Sequence, residues 1–244
     1  MKEKIDYKER FYRSLIKGKN LFKFEVRVEE TDLLVISKKN LKSEIKNELI
    51  KQREILKNYI RENPEFLYSF SPVPTQSKEE IIKLMSESSF LTKTGPMASV
   101  AGAIAEIIGE KFLNLSDEII IENGGDIFAR MKRDFIVGIY AGDSPFSMKV
   151  GIKLKKRERP YGIATSSGTI GHSFSFGDAD AVCIVSPSAT FSDGAATYFG
   201  NLIKGKIDKD AVIKELKEFP FIEGILIIRE KEIFLWGDIE IVSI

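Results

Sequence analysis

The sequence predicts an α+β protein built on a largely antiparallel sheet, and two observations carry that prediction. Short apolar-rich runs recur around polar turns, as at residues 22–36 and from residue 224 onward, the pattern of adjacent strands. Segments with apolar residues at helical spacing interrupt them at irregular intervals, which favours α+β over a regular βαβ sheet. The 244 residues give ample length for a core and are read as one domain, 1–244, whose two strand-rich halves leave a diverged internal duplication open.

Residues 22–36 read FKFEVRVEETDLLVI, two runs divided by Glu29, Glu30, Thr31 and Asp32, which fits a hairpin. Asn40 can cap the next segment, where Leu41, Ile45, Leu49, Ile55, Leu56, Tyr59 and Ile60 form a core-type helical stripe that ends at Asn63-Pro64. In the loop that follows, Pro64, Pro72 and Pro74 forbid regular helix, and Phe66, Tyr68 and Phe70 are expected to pack down. Ser77 and Glu80 have capping-box spacing for a helix over residues 79–88. Pro96 opens the next helix, which Ala98, Ala101, Ala103 and Ala105 make thin. Its first amides suit an anion; a tight seat on a sheet explains the same small residues equally well.

Residues 118–121 and 127–131 flank Asn123-Gly124-Gly125-Asp126, the composition of a two-residue I′ turn. Further strands are expected at 135–140, 148–154, 161–165 and 179–186, and helices over 191–203, started by Ser192 or Asp193, and within 207–219, capped by Asp208. Residues 224–229, 233–236 and 239–242 suit a three-stranded meander.

Charge narrows the partners. The 37 basic and 36 acidic residues give a net charge of +1 and are spread along the chain, so neither nucleic acid nor a membrane surface is expected as a partner. The basic run KLKKRER at 153–159 reads as a solvated strand end and turn rather than a phosphate patch. A single cysteine permits no internal disulfide, and no apolar run suits a signal peptide or membrane span, so a soluble cytoplasmic protein is expected. A homo-oligomer is left open.

Residues 162–197 concentrate Gly, Ser, Thr and Asp around the only histidine, His172, and the only cysteine, Cys183. Small polar residues at that density suit a backbone-lined pocket. Familiar alternatives fail: GNLIKGK at 200–206 has Ile207 where a P-loop needs Ser or Thr, and neither Gly-x-Gly-x-x-Gly after a strand nor Gly-x-Ser-x-Gly occurs. One His and one Cys argue against zinc, so any metal here would be hard and oxygen-bound. Asp193 and Thr197 stand four apart on one helix face and could serve it, although a capping Asp followed by a mid-helix Thr is the plainer reading of that pair alone.

Taken in order, AGAIAEIIGE at 101–110, ENGGDI at 122–127, GIATSSG at 162–168 and SDGAAT at 192–197 resemble motifs of the ApbE superfamily, whose characterised members are magnesium-dependent FAD:protein FMN transferases. The details are similar to a short branch found in archaea and anaerobic bacteria, down to Glu-Thr-Asp-Leu at residues 30–33. This resemblance implies a T-fold-like architecture. It implies Mg²⁺ held by Asp193 and Thr197 with the Ala105 carbonyl, and a flavin (FAD or FMN) and pyrophosphate pocket lined by Gly124, Gly125, Asp126, Thr165, Ser166, Ser167 and Gly168. His172 would be the base that takes a proton from an attacking hydroxyl; a histidine hydrogen-bonded within a glycine-rich turn is the alternative. The implied partners are a flavin or other nucleotide and an acceptor or pathway protein.

Two departures stand out. Glu106 occupies the position of the superfamily's lysine, and His172-Ser-Phe-Ser-Phe-Gly-Asp178 replaces its His-x-x-Asp-Pro. They support a second expectation, a non-catalytic ligand-binding accessory protein, which could assist sulfide assimilation to homocysteine in anaerobes.

Overall fold

The computed structural model describes residues 21–167 and 177–244. The chain begins with the hairpin β1 (Phe22–Val28) and β2 (Thr31–Ser37), then α1 (Lys42–Glu62), the single turn α2 (Glu65–Tyr68), α3 (Glu80–Thr92), a 3-10 turn at Pro96–Ser99 and α4 (Val100–Phe112). A second hairpin follows, β3 (Ile119–Asn123) and β4 (Asp126–Arg130), then β5 (Phe135–Gly138) and β6 (Val150–Leu154). The hairpin β7 (Tyr161–Ser166) and β8 (Ala181–Ser186) leads to α5 (Ala189–Leu202) and α6 (Lys209–Leu216), and the chain closes with β9 (Gly224–Arg229), β10 (Glu232–Gly237) and β11 (Glu240–Ser243).

Eight strands form one sheet in the order β1-β2-β3-β4-β7-β8-β9-β10, and β11-β6-β5 form a second, three-stranded sheet. Every pairing in both is antiparallel, as the α+β prediction requires. Each half of the large sheet has the order hairpin, helices, hairpin.

The faces of the large sheet are covered differently. Helices α1 to α4 lie over β1–β4 through a core that includes Ile45, Leu49, Ile82 and Ile108, while α5 and α6 cover β7–β9 through Phe199, Val212 and Leu216. On the opposite face, Ile152 and Leu154 of the small sheet meet Ala129, Ile163 and Leu226. β8 makes the two faces plain: Val182 and Ile184 join the helix-side core, whereas Ala181, Cys183 and Val185 join the other. Burial on both sides is why AVCIV reads as an unbroken apolar run.

Several local expectations are corrected. Ser77 and Glu80 form no capping box: Ser77 Oγ accepts from Glu79 N at 3.2 Å, and α3 starts at Glu80 and runs on to Thr92. Of the loop aromatics only Phe66 is buried; Tyr68 and Phe70 are exposed, at 73% and 70%. The tail is not a simple meander. β9 and β10 pair, but the chain bends at Gly237 (φ +94°), where an added Cβ would lie 2.2 Å from the Glu223 carbonyl oxygen, and β11 crosses to pair with β6. α5 starts at Ala189, capped by Ser188 Oγ accepting from Phe191 N at 3.2 Å, so neither Ser192 nor Asp193 is its cap. Asp208 does cap α6. None of the described helices is long and apolar enough to cross a membrane.

Candidate functional site

The Asn123-Gly124-Gly125-Asp126 turn joins β3 to β4 with φ of 72° at Gly124 and 112° at Gly125, the positive pair that a I′ turn demands and that glycine adopts without strain. Buried Glu122 holds the turn from behind, its Oε1 accepting from Gly125 N at 3.0 Å. Because Ile127 pairs with Ile163, the turn reaches the end of β7: an ideal Cβ on Gly125 would lie 3.6 Å from the Thr165 carbonyl oxygen. Leu33 pairs with Asn123, which brings buried Asp32 to the same end of the sheet.

The pleat divides the β7 residues, since directly opposed residues of an antiparallel pair share a face. Thr165 is opposite Cys183 and hydrogen-bonds its thiol, so its side chain looks toward the small sheet. Ser166 is opposite Val182, on the helix face. Asn123 and its partner Asp126 share that face, because Asn123 Nδ2 donates to the Ala101 carbonyl at 3.1 Å on α4. Ser167 directly follows Ser166 at the half-buried end of the strand. Of the pocket residues implied by sequence, Thr165 therefore offers its backbone rather than its side chain to the helix face. Gly168 and His172 lie outside the described residues.

The anion expected at the start of α4 is supplied by the chain itself. Gly102 N donates to Asp193 Oδ2 at 2.9 Å, and the Ala101 amide donates to the same carboxylate. Burial pushes the pKa of Asp193 up to about 7, against the pull of these two amides, and among the described residues no cationic side chain faces it. The helices approach closely because position 102 is glycine: a Cβ there would lie 2.3 Å from the Ala189 carbonyl oxygen. Ala105 is fully buried on α4 between Gly102 and Glu106, and Thr197 sits half-buried one turn beyond Asp193 on α5.

Glu106 has a structural occupation that its sequence position did not disclose. Its Oε2 accepts from Ser188 Oγ at 2.7 Å, from Thr190 N at 2.8 Å and from Thr190 Oγ1 at 2.7 Å, which satisfies the start of α5. Sequence reasoning also missed Glu122 and Asn123. The Asn-Gly-Gly-Asp composition signalled the turn, but not that its flanking side chains tie it to its own amide and to α4.

The hairpin turn, the start of α4 and the first turns of α5 thus meet at one end of the large sheet. The family model described as AbpE bacteria matches residues 13–217. The chain belongs to this family. The UPF0280 protein of Methanocaldococcus jannaschii is 39% identical over 225 residues, 89% of this chain and 91% of the relative. That of Methanococcus maripaludis strain C7 is 42% identical over 214 residues, 84% of this chain and 86% of the relative. The AbpE fold is also that of solved flavin transferases. Flavin transferase ApbE from Vibrio cholerae is similar with a TM-score of 0.57 at 11% identity, covering 91% of this chain and 96% of its own. Pseudomonas stutzeri flavinyl transferase ApbE, in its apo form, gives 0.53 at 12% identity, covering 91% and 94%. The resemblance read from the ordered motifs, to an archaeal branch of the ApbE superfamily, therefore holds.

Proposed function

We propose that this AbpE-family protein binds a flavin dinucleotide together with Mg²⁺ and cleaves its pyrophosphate, yielding AMP and FMN, the FMN released to water or transferred to a hydroxyl of an acceptor protein. The observation that carries the reading is Asp193: a half-buried carboxylate, oriented by two backbone amides and facing no cationic side chain among the described residues. Removal from water disfavours the ionised form of this carboxyl, and a bound cation would restore it. The donors fit magnesium. Magnesium takes one or two carboxylates with neutral oxygens, water and phosphate. Asp193, the Thr197 hydroxyl and the Ala105 carbonyl are the proposed ligands. When bound, the ion would neutralise charge developing on the pyrophosphate.

The chain's own groups divide the rest of the work. Gly124 and Gly125 let the phosphates approach the backbone, and Ser166 and Ser167 donate hydrogen bonds at the end of β7. Asp126 stands at the turn on the α4 side to orient the ligand. In hydrolysis a water oxygen bonds to the FMN phosphorus as the bond to the bridging oxygen breaks; His172 takes the proton of the water, and AMP leaves with the electron pair. A cytoplasmic location belongs to the same reading, in keeping with one buried, unpaired thiol.

Calorimetry of FAD with and without Mg²⁺, followed by chromatography for FMN and AMP, tests the proposal: magnesium-dependent binding and AMP release are expected. Binding without AMP release would favour the accessory reading, ligand retention in the service of another protein. The observation favouring that second reading is Glu106, which brings a carboxylate, committed to α5, where a phosphate contact would call for a cation.

A further inference from the structure

We propose that Glu106 is the positioning residue for the Asp193 carboxylate, acting through the start of α5; its functional consequence rests on the reading of Asp193 as a magnesium ligand. Each helix gives a carboxylate to the first turn of the other. Asp193 of α5 takes Gly102 N at 2.9 Å and the Ala101 amide, and Glu106 of α4 takes Thr190 N at 2.8 Å with the Ser188 and Thr190 hydroxyls at 2.7 Å. The two clasps stand four residues apart on α4 and three apart on α5, about one turn in each case.

Ser192 Oγ, donating to the Gly162 carbonyl at 3.0 Å, holds α5 against the sheet; the two clasps, a turn apart, set its position along α4. The tolerance is small. A helix advances about 1.5 Å per residue, and a metal ligand must lie within about 0.2 Å of its bonding distance, so a slip of a fraction of a residue displaces Asp193. Glu106 suits the task because three donors converge on one of its oxygens and it makes no ion pair among the described residues, so nothing competes for the carboxylate. Gly102, the donor of the first clasp, also keeps the helices in backbone contact at Ala189, so a displacement at Thr190 is passed along α5 to Asp193.

The test compares the full chain with Glu106→Ala, Glu106→Gln and Thr190→Val by two readouts: affinity for Mn²⁺, a magnesium surrogate followed by electron paramagnetic resonance, and the amide resonance and hydrogen exchange of Gly102. Glu106→Ala is expected to weaken Mn²⁺ binding by about 10- to 100-fold, the usual effect of losing a group that orients a metal ligand. It should also shift the Gly102 resonance and speed its exchange. Glu106→Gln, which keeps an oxygen acceptor, should restore most of both, and Thr190→Val, which removes a single hydroxyl, should move both slightly and serves if Glu106→Ala does not fold. A lower melting temperature with Mn²⁺ affinity and the Gly102 resonance unchanged overturns the proposal. If the wild-type protein binds no Mn²⁺, the magnesium reading fails, and the Gly102 amide decides the clasp alone: moved in the variants it upholds Glu106 as the positioning residue, unmoved it refutes it.

Discussion

An alanine at position 102 would put its Cβ 2.3 Å from the Ala189 carbonyl oxygen and 2.9 Å from Asp193 Cβ. Helix propensity favours alanine over glycine by about 1 kcal/mol, but the obstacle here is backbone that cannot swing aside, so overlap outweighs propensity. Gly102→Ala should cost about 2–3 kcal/mol in urea denaturation; a variant as stable as the wild type would mean that α4 and α5 are not in contact there. Cys183 gives a second single-residue prediction. Burial pushes its thiol up to about 12, opposed by a hydrogen bond from Thr165, so it should resist iodoacetamide at neutral pH and react only after unfolding. Native protein that labels as fast as free cysteine would contradict this. The strand position of Cys183 could be read from AVCIV, within the strand expected at 179–186. The role of Asp193 as a partner of Gly102 could not, because the two are 91 residues apart and nothing local signals the bond.

At the level of elements, the sequence was most legible where local chemistry is decisive and least where packing overrules it. The Gly124-Gly125 turn formed as read because positive φ at two successive residues has few other solutions. α5 was read as starting too late, at the first large apolar residue, because Ala189 and Thr190 carry little pattern; Ser188, after Pro187, was the signal. Ser188→Ala removes the cap of α5 and one donor to Glu106 together. It should lower stability by about 1–2 kcal/mol, at the upper end for a cap, as measured by urea denaturation; a loss of only a few tenths would show that the cap matters little.

Across the whole molecule, period-two alternation says that a strand has a buried face but not which strand lies beside it. The pairings β4 with β7 and β11 with β6 were therefore beyond the sequence, and the second of them turned the expected closing meander into a bridge between sheets. Glu118 ties the segment before β3 to the turn after β4, and it supplies a pH prediction. Arg133 holds its carboxyl below the ordinary 4.5, against burial and with help from the Lys132 amide. A depressed folded pKa contributes stability that is fully present above the unfolded value and is lost as pH falls through the folded one. The wild type should therefore exceed Glu118→Gln in stability most clearly above pH 4.5 and lose that margin progressively in more acid solution. A margin that does not change with pH would assign the effect to packing instead.

The central proposal is that Asp193 is an oxygen ligand of a magnesium ion beside a nucleotide pocket built on Gly124 and Gly125. Its most direct test is calorimetric titration of FAD into the wild type and Asp193→Asn, each with Mg²⁺ and with chelator. The account predicts binding in the wild type that depends on magnesium and a loss of that dependence in Asp193→Asn; equal affinity in all four conditions, or binding in none, would contradict it.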